Sequence, residues 1–225
     1  MFLDVLLPSW CIVCDRELPW KARTASCCAG CWDALPKITG TKCVSCARPL
    51  PGDANRCIDC QVDPGNLLFC DAWGRYSGAL EKVLHAFKFE RHDFLDDALA
   101  SLLENLIVDV AFDAIVPVPM SRAKERKRGY NQAERLARAL GKRTNIACEM
   151  LLTKRGERAT QSRLPRSERA NNVRGAFHAS PRANGKAILL VDDICTTGET
   201  LRSCAGELLR AGAASVAAVT LAKTV

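Results

Sequence analysis

Ile188-Leu-Leu-Val-Asp-Asp-Ile-Cys-Thr-Thr-Gly-Glu-Thr200 is the stretch whose reading decides the fold. Four branched-chain apolar residues, enough for a buried strand, run into two adjacent carboxylates, Asp192 and Asp193. A short Thr/Gly loop follows, and then a helix whose first turn begins near Glu199. Open α/β sheets bind ligands outside the carboxyl ends of their strands, and a helix N-terminus presents free N–H groups to an anion. Thr196, Thr197 and Thr200 add hydroxyl donors, while Gly198 lets the backbone approach closely. The pattern predicts a phosphate in the 196–200 loop, with the acid pair facing a polar group one sugar away. An ordinary helix cap is the plain alternative. One Thr would serve it, whereas this loop places three around a glycine.

The flanking sequence extends the same architecture. Asp71 to Ser77 reads as a strand, and the helix after it puts Leu80, Val83, Leu84 and Phe87 on one face. Leu95, Leu99, Leu102, Leu103 and Leu106 repeat that spacing on a second helix. Ala114 to Val118 is a short buried strand ended by Pro119, and residues 131–143 form a polar-faced helix before the apolar run Ile146 to Leu152. Thr153 to Arg174, rich in Arg, Ser and Asn, has no sustained period and is expected as a long loop. Ala187 to Val191 gives a strand, Glu199 to Arg210 a helix with Leu201, Ala205, Leu208 and Leu209 inward, and Ser215 to Leu221 a last strand. Strands alternating with helices predict a mostly parallel sheet covered on both faces.

The N-terminal third reads differently. Ten of the 13 cysteines lie between Cys11 and Cys70, and eight form four CxxC pairs: Cys11/Cys14, Cys28/Cys31, Cys43/Cys46 and Cys57/Cys60. A disulfide framework would need an oxidising compartment, and no export signal is visible in MFLDVLLPSW. Catalytic dithiols are the main rival, but a redox CxxC is usually single. Eight thiolates suffice for two tetrahedral Cys₄ zinc sites, with 13 residues between Cys14 and Cys28 and 10 between Cys46 and Cys57. Spacing alone leaves open whether consecutive or interleaved pairs share a site. The expected organisation is a cysteine-rich ribbon over 1–70 and an α/β domain over 71–225.

Composition narrows the class. A chain of 225 residues with 48% hydrophobic and 25% charged side chains can bury a real core, which excludes a disordered or low-complexity polymer. Its most apolar stretch, Ala205 to Ala222, is interrupted by Glu207 and Arg210, so no membrane insertion and a cytoplasmic location are expected. The net charge of +7 is unevenly placed. Met120 to Arg174 holds 16 Lys/Arg and 5 Asp/Glu, a local +11, against −4 for the remainder. Twelve of those 16 cations are Arg, the side chain that grips phosphate in two places. Within this sector, Arg122, Lys124, Arg126, Lys127 and Arg128 read equally as a solvated run or as pyrophosphate ligands, and the sector as a whole suits phosphates on a metabolite or along a nucleic acid.

The 188–200 segment resembles the binding motif for phosphoribosyl pyrophosphate (PRPP) of type I phosphoribosyltransferases. The resemblance implies that Asp192 and Asp193 bind the ribose hydroxyls and that Thr196, Thr197, Gly198, Glu199 and Thr200 hold the 5-phosphate. It narrows with the cysteine-rich ribbon, Val-Pro-Val-Pro at 116–119, Arg128-Gly-Tyr-Asn-Gln132, and the series Gln161, Arg166, Arg169, Asn172 and Phe177. Together these are similar to the ComF (competence protein F) family, over nearly the whole chain. Membership implies a phosphoribosyltransferase-like fold, PRPP and Mg²⁺ as ligands, and a tie to DNA uptake in transformation. Single-stranded DNA and a DNA-uptake helicase are the partners it points to. If the domain turns over, Asp192 and Asp193 orient the ribose and favour a cationic anomeric centre. No residue identifies the acceptor, so non-catalytic sensing of PRPP and DNA binding stand beside transfer.

Overall fold

The computed structural model describes residues 10–18, 26–89, 95–107, 110–154 and 176–224. Four parallel strands form the main sheet: β1 (Cys70–Arg75), β2 (Ala114–Pro117), β5 (Ala187–Cys195) and β6 (Ser215–Lys223), in the order β1-β6-β5-β2. A two-stranded antiparallel ribbon, β3 (Leu152–Lys154) with β4 (Phe177–Ala179), lies beside it. The helices of this region are α3 (Gly78–Phe89), α4 (Leu95–Glu104), α5 (Arg122–Arg128), α6 (Gln132–Thr144) and α7 (Glu199–Arg210). Two short helices, α1 (Ala29–Asp33) and α2 (Ile58–Val62), belong to the cysteine-rich segment.

Alternation along the strands sorts the core into two layers, because successive side chains leave a strand on opposite faces. Val116, Ile188, Leu190, Val216 and Ala218 pack with Leu201, Cys204, Ala205 and Leu208 of α7 and with Leu152 and Phe177 of the small ribbon. Ile115, Leu189, Val191, Ala217 and Val219 pack on the other face against Leu80, Leu84 and Phe87 of α3, Leu99 and Leu103 of α4, and Leu136 and Leu140 of α6. Both faces are covered, which is why the strands read as continuous apolar runs. Losing one of these buried leucines to alanine typically costs about 2–5 kcal/mol.

Several local expectations change in the folded chain. β5 does not stop at Val191. Its ladder with β6 continues through Asp192↔Thr220, Ile194↔Ala222 and Cys195↔Lys223, so pairing with a buried neighbour carries the strand through the acid pair. Thr153 and Lys154 extend β3 instead of opening a loop. The rest of that expected loop lies outside the described residues, as do Gln161, Arg166, Arg169 and Asn172. The 122–128 run is a helix, capped by Ser121, whose side chain accepts from the Lys124 N–H at 3.4 Å, and ended by Gly129 in the left-handed region. Leu106 falls beyond the end of α4, and Leu209 is partly buried at the edge of its core. Among the described residues no helix is long and apolar enough to cross a membrane.

Candidate functional site: an acid pair, a threonine loop and two cysteine tetrads

At the carboxyl end of β5 the backbone N–H of Asp193 donates to Asp192 Oδ1 at 2.9 Å. Lys88, from the last turn of α3, places its ammonium 2.6 Å from Asp193 Oδ2, with both side chains largely buried. Burial first, then the neighbouring Asp193 charge, pushes the Asp192 carboxyl well above its usual range, and Lys88 opposes the shift. A buried acid pair with one cation is costly to keep unless something uses its oxygens. Hydroxyl groups of a ligand would do so.

The loop after the pair is short and tightly held. Gly198 has φ +85°, a conformation that side chains other than glycine rarely adopt, and it caps α7. The Glu199 N–H reaches Thr197 Oγ1 at 3.4 Å. Thr196, Thr197 and Thr200 are exposed and Glu199 is half-buried, so hydroxyls and the free N–H groups of a 12-residue helix share one open surface. From below, Lys223 of β6, 2% exposed, donates its ammonium to the Thr196 carbonyl. Among the described residues no carboxylate pairs with Lys223. Cys195 is buried beneath the loop, its thiol 3.8 Å from the Cys46 carbonyl. A hydrogen bond from Cys70, then the charges of Lys223 and Arg202, bring it down to about 7 against the effect of burial.

β2 ends beside β5, and the Val118 N–H donates to the Val191 carbonyl at 2.9 Å, so the Val-Pro-Val-Pro turn sits next to the acid pair. Asn131 does two tasks there: its side-chain oxygen accepts from the Ala133 N–H to start α6, and its amide donates to the Val118 carbonyl at 3.1 Å. Ser121, Arg122, Arg126 and Lys154 line a cleft of about 720 Å³ together with Glu125 and Glu134. Arg122 and Arg126 therefore face the cleft. Lys127 and Arg128 lie outside its lining, and the Arg128 guanidinium rests over the Phe89 ring, 4.8 Å from its centre. Arg122, Lys124, Arg126 and Lys127 are exposed with no ion pair among the described residues. By contrast, Arg135, Arg138 and Arg143 of α6 are paired with Asp96, Glu134, and Asp97 and Glu104.

The eight CxxC cysteines gather as consecutive pairs: Cys11, Cys14, Cys28 and Cys31 in one tetrad, Cys43, Cys46, Cys57 and Cys60 in the other, with the four sulfurs of each within 4.8 Å of one another. Each tetrad joins a knuckle to a short helix. Cys11 and Cys43 donate backbone N–H groups to Arg16 and Arg48, while Asp15 and Ala47 turn in the left-handed region. Cys28 and Cys57 cap α1 and α2. Against burial, backbone N–H groups hold the Cys11 thiol near 6 and the Cys43 thiol near 7; burial first, then its neighbours, raises Cys46 to about 11. Four sulfurs so close cannot all ionise without a cation between them, and a thiolate-loving divalent ion fits that donor set.

The acid pair, the loop and the eight cysteines stand out in the sequence, whereas Lys88 and Lys223, which the structure brings beside them, do not. Both left a signal. Lys88 stands one helical turn beyond Leu84 on an apolar stripe, and Lys223 follows the buried run Val216 to Ala222. Trp10 is 56% exposed, while Trp73 is buried in the sheet.

A family model described as the phosphoribosyl transferase domain matches residues 95–224, and one described as the double zinc ribbon domain matches residues 2–61. The competence protein ComFC of Bacillus subtilis is 31% identical over 95% of this chain and 95% of its own length. The DNA utilization protein YhgH of Escherichia coli is 27% identical over 97% of this chain and 98% of its own. Competence protein F of Haemophilus influenzae is 29% identical over 82% and 85%. The strand–acid pair–loop–helix arrangement behind two cysteine tetrads thus sits in a chain that belongs to the ComF family, a type I phosphoribosyltransferase fold preceded by a double zinc ribbon.

Proposed function

We propose that this protein binds PRPP with Mg²⁺ at the carboxyl end of β5 and transfers its phosphoribosyl group to an acceptor. The observation that carries this reading is the buried pair Asp192–Asp193 running into the glycine-capped threonine loop at the start of α7. Thr196, Thr197, Gly198, Glu199 and Thr200 would hold the 5-phosphate through hydroxyls and the N–H groups of the helix start. Asp192 and Asp193 would take the ribose hydroxyls, with Lys88 keeping the pair from carrying two uncompensated charges. Arg122 and Arg126, on the cleft wall beside β2, would meet the pyrophosphate.

In transfer, an acceptor lone pair forms the new bond to the anomeric carbon as the bond to pyrophosphate breaks, and pyrophosphate leaves with the electron pair. The ribose gains positive charge on the way, and carboxylates fixed beside it favour that state electrostatically. When bound, Mg²⁺ would supply charge neutralisation for the leaving pyrophosphate. Each cysteine tetrad holds one structural zinc in this reading, which is the chemistry its four clustered sulfurs favour.

The test is a calorimetric titration with PRPP and Mg²⁺, followed by pyrophosphate release over a panel of nucleobases and DNA. Saturable heat below millimolar PRPP is the expected result; none at millimolar concentration would remove the proposal. Binding without release would reduce the protein to a PRPP sensor.

A second reading has its own observation, the four exposed cations on one short helix, Arg122, Lys124, Arg126 and Lys127, with no ion pair among the described residues. They offer positive charge to nucleic-acid phosphates. The names of the relatives, competence and DNA utilization, point the same way for those proteins. Single-stranded DNA binding that weakens with salt, by about 0.7 in logarithmic slope per phosphate contact, would support it.

A further inference from the structure

The loop read above as the 5-phosphate cradle is walled by the second cysteine tetrad. A side-chain carbon added at Gly198 would lie 3.7 Å from Cys46 Cβ and 3.9 Å from Cys195 Sγ, ordinary van der Waals distances, so the Cys46 and Cys195 side chains border the loop at Gly198. The Cys195 thiol in turn points at the Cys46 carbonyl, 3.8 Å away. Ala47, the residue after Cys46, is fully buried in the same apolar layer as Cys195 and Leu201. At β1's first ladder pair, Cys70↔Ala218, the knuckle is also tied to the sheet, because the Cys70 N–H donates to the Val44 carbonyl at 2.6 Å.

Between Lys42 and Pro49 this wall has no helix and no strand beyond one bridge. Outside the four sulfurs the knuckle is held by that bridge, by the Cys43 N–H to Arg48 carbonyl bond at 2.7 Å and the turn back to the Cys43 carbonyl, by the Leu50 N–H to Thr41 carbonyl and Val44 N–H to Asn55 carbonyl bonds, and by the ion pairs Lys42–Asp71 and Arg48–Asp59. A turn this short keeps its shape when its cysteines converge on one ion and opens when they do not. The first tetrad makes a different contact: Lys82 of α3 donates to the Val13 carbonyl at 2.8 Å, and the cleft between them is lined by Trp10, Asp15, Glu81 and His85, none of which belongs to the loop.

We infer that the second tetrad, through the Cys46 knuckle, regulates the phosphate loop: zinc at Cys43, Cys46, Cys57 and Cys60 holds residues 195–199 in the form that binds PRPP, and loss of that one ion releases them. The inference rests on the reading of 196–200 as the PRPP site. The link runs both ways, since coupling between two binding events is reciprocal.

Wild-type protein carrying two zinc ions is titrated with a chromophoric chelator, with and without PRPP and Mg²⁺. PRPP should raise the chelator concentration needed to remove one of the two ions and leave the other unchanged. In parallel, the double variant Cys57→Ser/Cys60→Ser should hold one zinc and bind PRPP at least about tenfold more weakly, while Cys28→Ser/Cys31→Ser holds one zinc and binds within about twofold of wild type. PRPP that binds but protects neither ion, or a Cys57→Ser/Cys60→Ser chain that binds PRPP like wild type, overturns the inference. Should the wild-type chain give no PRPP heat at all, the PRPP reading falls, and the coupling is read by hydrogen exchange of wild-type amides 195–199 before and after zinc removal. Faster exchange there, with the β5 and β6 core still protected, supports the link; unchanged exchange ends it.

Discussion

In the first tetrad, Cys14 is exposed, Cys28 and Cys31 are half-buried, and the structured neighbour is the polar face of α3. In the second, all four cysteines are buried and the knuckle leans on the loop between β5 and α7. The two are near copies in local design, each a CxxC turn with one left-handed residue followed by a CxxC whose first cysteine caps a short helix. What separates them is the surface on which each landed. A repeated small unit can set one copy against a helix surface while the other borders the loop at the end of a strand, and no residue within the knuckles announces which is which.

The largest expected effect separates ligand from metal. Thr197→Glu puts a carboxylate into the loop proposed to hold the phosphate, and PRPP binding should fall at least about a hundredfold while both zinc ions remain; a variant that binds normally would remove the loop from the proposed site. Next, Lys223→Met removes the buried ammonium beneath the Thr196 carbonyl and should weaken PRPP by roughly tenfold without changing the zinc count. An unchanged affinity would make Lys223 a purely structural residue.

Chelation then sharpens the contrast between tetrads. The more exposed Cys11/Cys14/Cys28/Cys31 site should surrender its ion first, and hydrogen exchange over 10–18 should quicken before exchange over 42–60. Simultaneous loss would show that the two differ in burial but not in strength.

The smallest effect is on stability. Burial and Asp193 raise the Asp192 carboxyl in the folded chain above its ordinary 3.8, so the fold holds that proton more tightly, and stability present below about pH 4 is lost as pH rises toward the folded value. Asp192→Asn removes that loss. Its melting temperature should match wild type near pH 4 and exceed it by about 2–4 °C at neutral pH, the shift of roughly 1 kcal/mol in a chain of this size, while PRPP binding declines. A gain that shrinks as pH rises would contradict the assignment.

The sequence by itself determined the parts whose chemistry is local. Four CxxC spacings define eight ligands, because a tight turn brings two sulfurs together whatever surrounds it. The run from Ile188 to Thr200 defines strand, acid pair, glycine turn and helix, because each step is a preference of adjacent residues. Helix faces such as Leu80, Val83, Leu84 and Phe87 are legible for the same reason. Tertiary structure alone decided the pairing of the knuckles, the extension of β5 through Asp192 and Asp193, and the arrival of Lys88 and Lys223 at the site from α3 and from the last strand. It also decided that Cys46, rather than Cys14, stands behind Gly198. Those outcomes depend on contacts between segments from about ten to more than a hundred residues apart. Such contacts are chosen by which apolar faces bury together, and no local pattern encodes that choice.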